Sequence, residues 1–66
     1  MTNFKNMTLV HVEHISDGHL IRLEMSEIPR KGEIIIINHT EYEVINVKWN
    51  LTGLKIITLI VEEPSY

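Results

Sequence analysis

His11, Glu13, His14 and His19 crowd into one short stretch, and with His39 they include every histidine of the chain. Imidazole is the commonest metal ligand and the side chain that titrates nearest neutrality. A metal site needs several such groups aimed at one point. Alternation along an extended strand sends His11 and His14 to opposite faces. His11 and Glu13 share a face, where Arg22 and Glu24 stand across from them as charge partners. The histidines therefore read as solvated strand and turn residues, and no metal or cofactor is expected.

The carboxylates offer a second kind of chemistry. Glu41 and Glu43 share one face of a strand, and Glu13 and Glu24 share one face of the first hairpin. General acid–base work needs carboxylates perturbed within a cleft. A chain of 66 residues hardly supplies a cleft as well as a core. Gly18, Gly32 and Gly53 are isolated turn glycines, so no phosphate-cradling loop is present. Ser16 and Ser26 have no partner base in their context. The sequence predicts a protein that is not an enzyme.

Arg30-Lys31 and Lys48-Trp49 are the remaining spots with recognisable chemistry. Lysine for phosphate and tryptophan for base stacking are what a nucleic-acid module on a small barrel uses. The basic residues are otherwise scattered, and the net charge is −3. Nucleic-acid binders concentrate positive charge to displace counterions. That reading is therefore the alternative rather than the lead.

The elements that must position these residues are strands. Turn signals recur about every ten residues, the spacing of a sandwich or barrel. Asp17-Gly18 predicts a two-residue type I′ turn. That register sets Glu13 opposite Arg22, Val12 opposite Leu23 and Val10 opposite Met25. One face then carries Val10, Val12, Ile21, Leu23 and Met25, and the other carries His11, Glu13, Arg22 and Glu24. Ile28-Pro29-Arg30-Lys31-Gly32 is a turn, with proline and glycine presetting the backbone. A third strand follows from about Glu33 to Ile37, and its run of four isoleucines reads as covered on both sides. Asn38-His39-Thr40 is the next turn, 41–49 a fourth strand, 50–53 a loop, and 54–62 a fifth strand ended by Pro64. The predicted fold is all-β, a five-stranded small open barrel or a coiled antiparallel meander, in one domain over 1–66.

The last hairpin contains a conflict. With Trp49 opposite Leu54 and Val47 opposite Ile56, the apolar face near the tip holds Val47, Trp49, Leu54 and Ile56. Further back, with Val44 opposite Leu59, the apolar face is the other one. Bulges in both strands would restore a single core face. Alternatively, the tip projects an apolar patch that another chain covers.

Size favours a partner. A chain this short buries only about 60% of its unfolded surface. With no cysteine, disulfides and thiolate metal sites are excluded, which leaves oligomerisation as the expected aid. The first residues lack the pattern of a signal peptide, and no apolar run has the length of a membrane helix. A cytoplasmic, membrane-free protein is expected.

The segment Ile28-Pro29-Arg30-Lys31-Gly32-Glu33-Ile34, followed by Glu41-Tyr42-Glu43-Val44-Ile45-Asn46-Val47, resembles a pattern of short bacterial and phage proteins. The pattern runs proline, two residues, glycine, acidic, apolar, then tyrosine, x, valine, x, x, valine. Those proteins are built as small barrels of the Src-homology type. The resemblance covers roughly the middle third of the chain. It implies a fold and carries over no functional residue, while the size and style of the chain suggest a phage or mobile-element accessory protein. The leading expectation is a non-catalytic protein-interaction module, homo-oligomeric, that binds or inhibits a host protein. Its contact surface is Val47, Trp49, Leu54 and Ile56, with Arg30, Lys31 and Lys48 as polar contacts. A small nucleic-acid-binding barrel and a structural or assembly subunit are the alternatives.

Overall fold

A computed structural model describes residues 7–53 and 56–65. Five strands form one sheet: β1 (Thr8–His14), β2 (Gly18–Met25), β3 (Ile34–Ile37), β4 (Thr40–Trp49) and β5 (Ile57–Glu62). The sheet curls strongly into an open half-barrel. Its order is β2-β1-β5-β4-β3. β1 and β5 run parallel and every other neighbouring pair is antiparallel. The open barrel is therefore the architecture formed, and a meander of consecutive strands is not.

The order has a physical consequence. β2 and β3 follow one another in sequence but lie at opposite edges of the sheet. The segment 26–33 must cross between them, and it does so over the core side, where Ile28 packs on the buried cluster. That cluster is Val10, Val12, Val44, Ile57, Leu59 and Val61, all from the three central strands. Leu20, Ile21, Met25, Ile35, Ile37, Tyr42 and Val47 pack around it. β5 lies at the centre of the sheet and alternates buried and half-buried residues along its whole length.

Both hairpins depart from the expected registers, each for a local reason. Val10 faces Leu23 and Val12 faces Ile21. The slip from the expected pairing is even-numbered, so each side chain keeps its face. Asp17-Gly18 does not form a type I′ turn. Such a turn needs positive φ at both residues, and only Gly18, at φ 81, has it. Residues 15–17 make a wider turn instead, with His14 paired to Gly18. The two-residue turn of this hand lies at Asn38-His39, with φ 51 and 70.

The run Ile34–Ile37 is not covered on both sides. β3 is an edge strand, and Ile34 and Ile36 are 43% and 67% exposed. Its turn does match expectation: Glu33 N–H donates to Arg30 C=O at 3.1 Å, with Gly32 at φ 95. This is the positive-φ position that a type II turn reserves for glycine.

The last hairpin resolves its conflict with one extra residue in β4. Val44 faces Val61, Asn46 faces Ile60, and Ile45 is bulged between them. Beyond the bulge Val47 faces buried Leu59, and Trp49 faces buried Ile57. The bulge thus returns Val47 and Trp49 to the core face, using one strand rather than two. The expected pairs Trp49–Leu54 and Val47–Ile56 are replaced, because Trp49 pairs with Ile57 and Asn50 N–H reaches Ile56 C=O at 3.2 Å. Leu54 lies outside the described residues.

Candidate binding cleft and histidine sites

The core face does not cover Trp49. It is 59% exposed, although it stands opposite a buried residue. β3 pairs only with Thr40–Glu43 of β4. Past the bulge, no strand among the described residues pairs with the rest of β4 on that side, so among them its edge is open. Asn46 partly manages this edge, since its side-chain oxygen accepts from the Val47 N–H at 3.0 Å.

A cleft of about 510 Å³ fills the gap between this half of β4 and the crossing segment. It is lined by Ile28, Pro29, Arg30, Lys31, Asn46, Val47 and Trp49. The sequence placed Arg30 and Lys31 in a solvated turn and Val47 and Trp49 on a hairpin tip. The structure brings all four together. The turn holding the cations is pinned twice to the bulge: Gly32 N–H donates to Val44 C=O at 2.7 Å, and Val44 N–H to Glu33 C=O at 2.9 Å. Glu33 also accepts from the Arg30 backbone N–H at 2.6 Å. Of the other expected contact residues, Ile56 is half-buried and Lys48 is exposed, and neither lines the cleft. Lys48 sits between Val47 and Trp49, so alternation points it to the other face.

His39 is an exposed turn residue and His19 an exposed strand residue, as expected, but His14 departs from the expectation. His14 is not solvated but only 7% exposed. Its Nδ1 accepts from the backbone N–H of Ser16 at 3.0 Å and of Asp17 at 3.4 Å. Those two donors require a lone pair on Nδ1. The proton is then on Nε2, which donates to Glu63 Oε2 at 2.8 Å. Ile15 N–H adds a bond to Val61 C=O at 2.9 Å. A buried side chain that accepts two turn amides competes directly with a tighter turn. His14 is thus the reason the first hairpin is wider than its Asp-Gly pair predicts. Glu63 is held below its ordinary value of 4.5, first by a backbone hydrogen bond and then by His14.

His11, Glu13 and His19 share the outer face. His11 Nε2 lies 3.0 Å from His19 Nδ1 and 3.1 Å from Glu13 Oε2. Arg22 faces His11 and Glu24 faces Leu9, so the expected pairs Glu13–Arg22 and His11–Glu24 do not form. His19 reaches this face through a bulge. Val12 pairs with Ile21 but Glu13 pairs with His19, so Leu20 is the extra residue. An unbulged register would place His19 on the core side. The sequence carries no signal for that bulge.

Among the described residues, no group of three or more His, Asp or Glu side chains is arranged to hold a metal ion, and no buried side-chain nitrogen or oxygen lacks a partner. No helix among them is long and apolar enough to cross a membrane. No family model, curated protein or solved structure matches the chain.

Proposed function

We propose that this chain is a non-catalytic protein-interaction module that holds an extended segment of its partner in the cleft beside Trp49. One observation carries the reading. The open edge of β4, the exposed indole and the adjacent cations Arg30 and Lys31 all border a single concavity. An open strand edge supplies main-chain hydrogen bonds to an added strand, and flanking pockets supply selectivity. Trp and Arg are the side chains most enriched among residues that dominate binding energy. The partner segment then pairs apolar side chains, for Val47, Pro29 and Trp49, with carboxylates for Arg30 and Lys31. Cytoplasmic action, self-association and inhibition of a host protein remain part of this proposal. A chain without cysteine suits a reducing compartment.

The same juxtaposition is what a single-strand nucleic-acid platform uses, which makes that the second reading. Fluorescence anisotropy with labelled probes separates the two. Extended peptides alternating apolar and acidic residues should bind, while their lysine-substituted versions should not. Binding should fall with Arg30→Glu or Lys31→Glu. An oligothymidine that binds instead, with affinity falling steeply as salt rises, would replace the protein reading by the nucleic-acid one. Light scattering across a dilution series tests whether a second copy occupies the cleft. A dimer that Trp49→Ala dissociates would identify the surface as a self-association site.

A further inference from the structure

We infer that the cleft beside Trp49 takes the free C-terminal end of its partner chain, with the terminal carboxylate against Arg30 and Lys31. The inference rests on the reading of that cleft as a strand-addition site, and adds the direction of the segment and the chain end it selects.

The open lane along β4 is closed at one end. β3 and the turn before it fill the lane as far as Val44, where Gly32 N–H donates to Val44 C=O at 2.7 Å and Val44 N–H to Glu33 C=O at 2.9 Å. Among the described residues the lane is open only from Asn46 to Trp49. At its inner end the chain leaves the sheet through Lys31 and Arg30, both of which line the cleft. A segment added in the lane cannot run on past this turn, because β3 already holds the next positions. It ends there or bends out of the sheet.

The main chain of β4 is set for such a segment. Asn50 N–H donates to Ile56 C=O at 3.2 Å, and Lys48 and Asn46 stand opposite Thr58 and Ile60. In an antiparallel pair, alternate residues bond to the same neighbouring strand. Asn50, Lys48 and Asn46 therefore bond toward β5, and Val47 and Trp49 turn their main-chain groups to the lane. The Asn46 side-chain oxygen already accepts the Val47 N–H at 3.0 Å. Val47 C=O and both main-chain groups of Trp49 are left for the added segment.

Charge decides which end of the segment meets the turn. A segment parallel to β4 would begin there and set its ammonium against two cations, a costly juxtaposition. A segment antiparallel to β4, as β3 is, ends there and sets its carboxylate against them. Carboxylate with guanidinium or ammonium makes the stronger class of hydrogen bond. No carboxylate lines this cleft to compete, since Glu27 and Glu33 line a separate hollow with Ile34 and Ile35. Directly opposed residues of an antiparallel pair share a face. The segment's side chains opposite Val47 and Trp49 therefore meet Ile28, Pro29 and the indole. The ligand is then a peptide C-terminus with apolar residues at alternate positions.

The test is fluorescence anisotropy of the full chain with an N-terminally labelled peptide that alternates serine and valine and ends in valine. The free acid is compared with its C-terminal amide and with a version extended by a glycine–serine tail. The free acid should bind about tenfold more tightly than either. Arg30→Gln combined with Lys31→Gln should bring the free acid down to the level of the amide. Both side chains are exposed, and circular dichroism checks that the variant is folded. Equal affinity for the acid, the amide and the extended peptide would overturn the inference and leave the cleft a site for internal segments. A preference for the free acid that survives the double substitution would overturn it as well. Binding by internal acidic peptides alone would overturn the inference and keep the strand-addition reading, whereas binding by no peptide would remove both.

Discussion

The two ends of this sheet are finished in opposite ways. At one end His14, the turn 15–17, Val61 and Glu63 are tied together by hydrogen bonds, with Tyr42 edge-on to the imidazole at 6.2 Å. Among the described residues, each buried side-chain nitrogen and oxygen at this end has its partner. At the other end β4 outruns β3, and Trp49 extends the core face into open solvent. The first end spends its side chains on closing the fold, and the second leaves an indole unused by it. A large aromatic that contributes little to its own core is the one available to a partner. Among the described residues six buried hydrophobic side chains make a small core, so the closed end carries much of the specificity of the fold.

The sharpest test of this contrast begins with what the two ends share. Leu59 is fully buried on the central strand. Leu59→Ala should cost about 2–5 kcal/mol. In so small a domain, urea denaturation should show most of the stability gone, at both ends alike. If one end kept its structure by hydrogen exchange, the two would be separate folding units.

The next pair divides the ends. His14→Ala leaves two turn amides without their acceptor and should cost about 2–3 kcal/mol. Trp49→Ala should stay within about 0.5 kcal/mol of wild type, as exposed substitutions do. Equal losses in chemical denaturation would mean that Trp49 serves the core after all. A variant with intact stability that no longer binds the acidic peptides would establish the division of labour.

The closed end also contains removable strain. His39 sits at φ 70 with a full side chain. His39→Gly should raise the thermal midpoint, by an amount worth up to about 1 kcal/mol. A fall would show that the imidazole makes a contact that outweighs its backbone cost.

The smallest effect concerns acid. Glu63 is ionised more readily in the folded state than its ordinary value of 4.5 implies. Its contribution is therefore present above that value and is lost as pH falls through the lower folded one. The carboxylate is solvent-exposed, so the loss should be slight. Glu63→Gln should flatten the acid limb of the stability profile below about pH 4.5 and leave neutral pH nearly unchanged. An unaltered acid limb would show that His14 does not communicate with it.

These contrasts bear on how far the sequence could be read. The core faces of the first hairpin were legible because alternation fixes them, and an even-numbered slip of register leaves them intact. The turn itself was not. Asp-Gly favours a tight turn locally, but a buried imidazole tied to Glu63, just past the neighbouring β5, takes the amides of Ser16 and Asp17. Val47 and Trp49 were visible as an apolar pair out of phase with Val44. That mismatch is the trace a bulge leaves in a sequence. The bulge at Leu20 left none, since Leu20 reads as apolar on either face. For that reason the approach of His19 to His11 was invisible. The cleft was hidden for a different reason: its two walls come from segments that only the crossing between opposite sheet edges brings together.

By itself the sequence determined the class of fold, the number of strands and most of the buried residues. Those follow from β-branched runs, alternation and turn residues, which act within a few positions of one another. Tertiary structure alone decided the strand order, the parallel pairing of β1 with β5, both bulges, the burial of His14 and the exposure of Ile36. Each depends on which strand lies beside which, and the balance among those pairings is set by burial summed over the whole chain.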